Sequence, residues 1–130
     1  MTADTDAGTR AAALLVRDRE QLALDVTAAL YAESPELLAR HGERGREKCH
    51  QDMRYNIDHL IPAVDLGDGA MFARYVEWLD GLLRARNVAT RDVIRCLELL
   101  RDACARRFPP AESAAIGAIV DAGLGAVTTT

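Results

Sequence analysis

Apolar residues along this chain recur at intervals of three and four, which is the spacing of one face of an α-helix. Ser34 and Pro35 interrupt the first such stretch, over residues 9–33, and indicate a new helix start, because serine caps helices and proline is tolerated in the first turn. We expect a short helix over residues 35–41 that stops at Gly42. The stripe of the first stretch is formed by Leu14, Leu15, Leu22, Val26, Ala29 and Leu30.

A central helix is predicted over residues 44–63, where Pro62 is expected to kink or end it. At about 100° per residue, one face of this helix lies within about 80° of Cys49. Asp52 lies about 60° to one side of that position, and His59 lies at the margin of the face. The residues of the face are Cys49, Met53, Asn56, Ile57 and Leu60.

Three further helices are predicted, over residues 70–86, 90–108 and 111–122. Asp68 and Thr90 are the expected N-caps of the first two, and Gly123 and Gly125 are expected to end the last. No segment alternates with period two. About six helices of unequal length predict an all-α, globin-like single domain over residues 9–127, with a disordered tail over residues 1–8.

Composition narrows the possible functions. The 130 residues suffice for one core, and a net charge of −4 argues against nucleic-acid binding. No apolar run is long enough for a signal or a membrane span, so a cytoplasmic protein is expected. Three cysteines without a CxxC pair indicate neither a disulfide framework nor a zinc site. No Ser/His/Asp set or phosphate loop indicates an enzyme.

The central helix carries unusual chemistry on its apolar face. A carboxylate such as Asp52 is costly there unless it accepts hydrogen bonds, and the Cys49 thiol one turn away offers a nucleophile. Together they suit a ligand with N–H groups and an electrophilic carbon. From the residues alone, an ordinary structural role stays open for each residue. Cys49 can be a simple buried residue, and Asp52 can face solvent or pair with a nearby Arg or Lys. Cys96 and Cys104 are predicted to be small core hydrophobes.

The segment CHQDMRY, residues 49–55, resembles the chromophore-bearing helix of the phycobiliproteins, with its Cys-Leu-Arg-Asp motif and following Met and Tyr. The resemblance extends over residues 44–108. Residues 65–68 are similar to the Ala-Gly-Asp loop of that family, and residues 78–88 (WLDGLLRARNV) to its helix ending in a Leu-Gly-Val turn. Residues 93–102 are similar to the helix that follows. The chain resembles most the small bacterial globins associated with bilin biosynthesis.

The resemblance implies a bilin of the biliverdin or phycocyanobilin type. It implies a thioether to Cys49 and hydrogen bonds from the central pyrrole N–H groups to Asp52. The family's propionate-binding Arg is Gln51 here, and Arg44, Arg46, Lys48 or Arg54 are its candidate replacements. The full set of candidate cofactor-binding residues is Arg46, Lys48, Cys49, Asp52, Met53, Tyr55, Asn56 and His59.

A bilin carrier, chaperone or sensor is therefore the expected function, with bilin-metabolising enzymes as partners. A homodimer is expected from the apolar stripes over residues 9–33 and 70–86. One alternative is a ligand-free globin-like interaction or sensor domain. Another is a haem- or cobalamin-binding domain that uses one of His41, His50 and His59, although His50 and His59 are predicted to face opposite ways.

Overall fold

The computed structural model describes residues 3–128, with side chains from residue 7 onwards, and the regular structure in that part of the chain is entirely helical. The predicted all-α class is confirmed. Five helices are present where about six were expected, and the globin-like arrangement remains a prediction. They are α1 (Ala3–Glu33), α2 (Glu36–Leu66), α3 (Gly69–Ala85), α4 (Thr90–Arg107) and α5 (Pro110–Thr128).

The difference in helix count lies at Gly42. Its backbone has φ 70° and ψ −173°, which is not helical, yet the chain on both sides belongs to α2. Positive φ favours glycine, because a Cβ would be strained there. The two helices predicted on either side of Gly42 are therefore two segments of one kinked helix.

The first helix is longer than the periodicity predicts. It begins at Ala3 rather than at residue 9 and so includes residues 3–8 of the expected tail; residues 1 and 2 lie outside the described residues. Ala7 and Gly8 are buried. A Cβ on Gly8 would lie 2.8 Å from the Val64 carbonyl oxygen. The first turns of α1 therefore pack closely against the end of α2, which the local pattern did not reveal.

Pro62 does not end α2, which continues to Leu66. Its ring is exposed, and the next turn is retained because Ala63 and Val64 are buried in the core. The stop comes instead at Gly67, which adopts the left-handed conformation (φ 64°). The following N–H, that of Asp68, donates to the Ala63 carbonyl oxygen at 2.8 Å, which completes a Schellman-type end.

The predicted caps have mixed outcomes. The Asp68 carboxylate accepts from the Met71 N–H at 3.1 Å, so this N-cap of α3 is confirmed. Thr90 does not cap α4, because its hydroxyl donates to Asp80 on α3 at 2.7 Å. No side-chain hydrogen bond caps α2, whose N-cap residue is Pro35. Thr90 therefore joins two helices instead of starting one.

α5 runs through the glycines that were expected to end it, so that prediction is wrong. A Cβ on Gly123 would lie 2.8 Å from a ring carbon of Phe72 and 2.9 Å from a methyl of Val76. Gly123 therefore permits close packing of α5 on α3. By length and composition alone, α5 is a candidate membrane span. That is weak evidence, because the core helix of a soluble protein passes the same test, and α5 packs against α1, α3 and α4.

The helices enclose one core, but not every pair of them packs closely. α1 packs along α2, and α5 packs on α3 and α4. In contrast, no Cα atom of α2 lies within 8 Å of a Cα atom of α4. The space between these two helices holds the candidate site. The fully buried side chains of the core include Leu15, Leu22, Ile57, Leu60, Phe72, Leu97, Leu100 and Ile116.

Candidate functional site

A cavity of about 210 Å³ lies between α2 and α4, closed on other sides by α1 and α3. Most of its wall is apolar. The central helix α2 contributes several of the polar groups, because its residues at positions i, i+3, i+4 and i+7 share one face. Five of the predicted site residues line this cavity together: Lys48, Cys49, Asp52, Met53 and Asn56.

A second cavity of about 220 Å³ adjoins the first. It contains two more predicted site residues, Tyr55 and His59, and is otherwise formed mainly by α3. Each cavity alone is smaller than the roughly 300–1,000 Å³ of common small-molecule sites, whereas the two together, about 430 Å³, fall within that range. The residues that line both are Lys48, Asp52, Leu79, Leu83 and Arg86.

Asp52 therefore lies where the two cavities meet. Its side chain is 22% exposed, and one carboxylate oxygen lies 3.7 Å from the Lys48 ammonium. Burial raises the pKa of Asp52, while the charges of Lys48 and Arg86 oppose that rise. The pairing with a lysine, which the sequence left open, is present. The carboxylate is nevertheless partly removed from water, which strengthens any hydrogen bond that a ligand donates to it.

Cys49 faces a second thiol, that of Cys96 on α4. The neighbouring Cys96 thiol lowers the pKa of Cys49, although burial opposes the shift. The Cys49 sulfur and burial together raise the pKa of Cys96. Cys96 packs against the hydrophobic core, as predicted, and it also lines the first cavity. Cys104 is buried as predicted, and burial raises its pKa to about 12.

Asn56 and Met53 are fully buried, and both take part in a polar chain that crosses from α2 to α3. The Asn56 amide donates to the Met53 sulfur at 3.4 Å, and the Tyr75 hydroxyl donates to the Asn56 oxygen at 2.5 Å. Buried amides need such partners. The chain links α2, which lines the first cavity, to α3 at a residue that lines the second.

Aromatic rings line the second cavity. The His59 ring stacks on Tyr75 with centroids 4.0 Å apart and planes 11° from parallel, and Trp78 lies 5.9 Å further along. Nδ1–H of His59 donates to the Tyr55 carbonyl oxygen at 2.9 Å, which leaves Nε2 as the nitrogen open to a ligand. Trp78 and Tyr55 remain 61% and 47% exposed. The second cavity therefore offers flat apolar surfaces at its mouth.

The other predicted groups lie around the site. The Arg46 guanidinium lies 5.6 Å above the ring of Tyr31, which lines the first cavity, although Arg46 itself lines neither. His41 lines the first cavity, whereas His50 lies 3.0 Å from Glu20, outside both cavities. The described residues hold no group of three or more His, Cys, Asp and Glu side chains that could bind a metal ion.

Arg86 is a cavity residue that the sequence pattern did not identify. It follows directly after α3 and lines both cavities, as Asp52 does, and its charge lowers the pKa of that carboxyl. The local signal was weak, because the segment Arg84-Ala85-Arg86 resembles an ordinary basic helix end. Only the packing of α3 on α2 shows that the second of these arginines faces the site.

A scan of protein-family models and a search of curated proteins both found no match to the chain. The choice of a ligand therefore depends on the geometry of the two cavities and on the motif of residues 49–55.

Proposed function

We propose that this protein binds a linear tetrapyrrole and acts as a bilin carrier, chaperone or sensor, without a catalytic role of its own. The observation that carries the proposal is the place of Asp52. This half-buried carboxylate lines two adjoining cavities, so an elongated ligand that fills both would have its centre at Asp52.

The central rings of a bilin present N–H groups that a carboxylate can accept. Hydrogen bonds to an ionised acceptor are about twice as strong as those between neutral groups. A bound carboxylate also favours the protonated, extended tetrapyrrole, because it places a negative charge beside the ring nitrogens. Asp52 would exchange its contact with Lys48 for these N–H groups.

The groups around Asp52 suit the remaining parts of a bilin. Lys48 and Arg86 line both cavities and can pair with the two propionates. They would replace the propionate-binding arginine that the phycobiliproteins have at the position of Gln51. The rings of His59, Tyr75 and Trp78 provide surfaces against which the conjugated system can stack.

Cys49 lies in the first cavity, where it can attach the bilin covalently. Its sulfur would add to the vinyl-derived carbon of the end ring while the thiol proton passes to the tetrapyrrole, so no oxidant or reductant is needed. The neighbouring Cys96 thiol lowers the pKa of Cys49, which favours the reactive thiolate. Both a covalent and a non-covalent complex are compatible with the proposal.

The test is a titration of the purified chain, at micromolar concentration, with biliverdin and with phycocyanobilin. We expect a red absorbance band that is enhanced and saturates at one bilin per chain, with altered fluorescence. Unchanged absorbance and fluorescence would overturn the proposal. Parallel titrations with haemin and cobalamin test the alternative tetrapyrroles. A sharp Soret band with haemin and no change with bilin would assign the site to haem, with His41 or His59 as the only cavity-lining imidazoles.

A further inference from the structure

Three sulfur-containing residues line the first cavity, and the proposed bilin complex uses at most one of them. Cys49 and Met53 lie four residues apart on α2 and so share one helix face. Cys96 reaches the cavity from α4 on the opposite side. The side chains of three residues that are soft metal ligands therefore converge on one apolar space.

The distance between α2 and α4 excludes a disulfide between Cys49 and Cys96 without movement of the backbone. The Cα atoms of Cys49 and Cys96 are more than 8 Å apart, since no pair of Cα atoms from α2 and α4 comes closer. A disulfide needs about 4.4–6.8 Å between these atoms, so the backbone would have to move. Yet both cysteines line the same cavity, one from each helix. This separation leaves room for an atom that bridges two sulfurs.

We propose that Cys49, Cys96 and Met53 form a binding site for a soft monovalent cation, which in a cell is Cu(I). Thiolate and thioether sulfurs select Cu(I), whereas Mg²⁺ and Ca²⁺ require oxygen ligands. Structural zinc takes four Cys, His or carboxylate ligands, and the described residues do not gather even three of them. Two thiolates and one thioether suit a cation of low coordination number.

Binding replaces the two thiol protons, so that Cu⁺ and two thiols give a bis-thiolate complex with one negative charge and two released protons. Positive charge near that complex comes from Lys48 and Arg86, which line the cavity, and from Arg46, which lies beside Tyr31. No change of oxidation state is involved. The inference goes beyond the proposed bilin complex, because it requires Cys96 and no tetrapyrrole. The two ligands would compete for Cys49.

The experiment is an anaerobic titration with Cu(I) in competition with a chromogenic Cu(I) chelator, together with X-ray absorption at the copper edge. We expect one Cu(I) per chain with three sulfur neighbours. Loss of a metal's supporting residues commonly costs about 10–100-fold in affinity. We therefore expect Cys49→Ser and Cys96→Ser each to weaken binding at least about 100-fold, and Met53→Leu about 10-fold.

Cys104→Ala is the matched control, because Cys104 also lies on α4 but is buried away from the cavity. It should bind Cu(I) as the parent chain does. In the unmodified protein, bound Cu(I) should also block alkylation of Cys49 by iodoacetamide. The site is wrong if the double variant Cys49→Ser/Cys96→Ser binds Cu(I) as tightly as the parent, if copper has only nitrogen and oxygen neighbours, or if alkylation is unaffected. None of these measurements involves a bilin, so their failure would leave the proposed function standing.

Discussion

The Tyr75 hydroxyl donates a hydrogen bond to the side-chain oxygen of Asn56, with 2.5 Å between the two atoms. Asn56 lies on α2 in the first cavity, and Tyr75 lies on α3 in the second. Burial raises the pKa of Tyr75, so the phenol keeps its proton and remains a donor at neutral pH. This pair joins the two helices at the boundary between the cavities.

Tyr75→Phe should lower the free energy of unfolding by about 1–3 kcal/mol, because the buried oxygen of Asn56 loses its donor. Urea denaturation followed by circular dichroism measures the change. The control is Tyr55→Phe, which removes an exposed hydroxyl that only accepts from Gln51 at 3.2 Å. We expect an effect within about 0.5 kcal/mol there, and equal losses in the two variants would contradict the role given to Tyr75.

Gly123→Ala should destabilise the protein by about 1–3 kcal/mol, because the added methyl meets Phe72 and Val76 at less than 3 Å in a packed core. Gly81→Ala is the matched control. It adds the same methyl group within α3, where no heavy atom lies within 4 Å. That change should stabilise the helix by about 0.5–1 kcal/mol. Melting temperatures that move in the same direction for both variants would show that Gly123 is not a packing residue.

Stability should fall in acid partly through Asp18. Hydrogen bonds from Arg17, and then from Arg107 on α4, hold the pKa of this carboxyl well below its usual range. A lowered pKa in the folded state stabilises the protein above about pH 4, the ordinary value for Asp, and the contribution is lost as pH falls further. Asp18→Asn should therefore cost about 1–2 kcal/mol at pH 7 and progressively less below pH 4.

The control for this prediction is Asp25→Asn, because the Asp25 carboxylate lies 3.9 Å from the same Arg107 guanidinium but is largely exposed. We expect a smaller loss at pH 7 than for Asp18→Asn. Urea titrations at several pH values give both quantities. A constant difference between Asp18→Asn and the parent chain from pH 7 to pH 2 would contradict the assignment.

Local periodicity was enough to place the polar groups of α2. Cys49, Asp52, Met53 and Asn56 are brought together by one helix, so their common face follows from spacing alone. Cys96 and Arg86 come from other helices, and only tertiary packing brings them to the same cavity. A sequence pattern indicates which face of a helix is apolar. It does not indicate that the Cα atoms of α2 and α4 stay more than 8 Å apart and leave a cavity between them.

The wrong predictions of helix ends and caps also result from tertiary packing. Gly123 and Pro62 are both local signals for a helix end, and packing overrides both. Gly123 allows α5 to approach Phe72, and Pro62 is followed by a helical turn that is buried in the core. Thr90 has the chemistry of a cap, but its hydroxyl finds a stronger partner in Asp80. In contrast, the break at Gly42 was identifiable from the sequence, because its positive φ is a backbone conformation that favours glycine.

Arg86→Ala should weaken bilin binding about 5–10-fold, since a partly exposed charge pair with a propionate contributes about 1 kcal/mol. The control is Arg84→Ala, two residues earlier, whose guanidinium pairs with Asp80 at 3.2 Å instead of facing the cavities. That change should leave the bilin affinity unaltered. A bilin dimethyl ester, which lacks propionate charges, should bind the parent and Arg86→Ala with equal affinity. If the dimethyl ester binds Arg86→Ala more weakly than it binds the parent chain, Arg86 does not act through a propionate contact.

Asp52→Asn tests the centre of the proposed site, since the amide keeps the shape of the side chain but cannot stabilise a protonated tetrapyrrole. We expect an intact fold, weaker bilin binding and a red band that is blue-shifted or bleached. Cys49→Ala should keep the colour and lose any attachment that resists denaturation. Asp58→Asn on the same helix, which removes a carboxylate paired with Arg19 outside both cavities, is the control. If bilin binds to Asp52→Asn with the spectrum and affinity of the parent, the ligand does not lie across the two cavities.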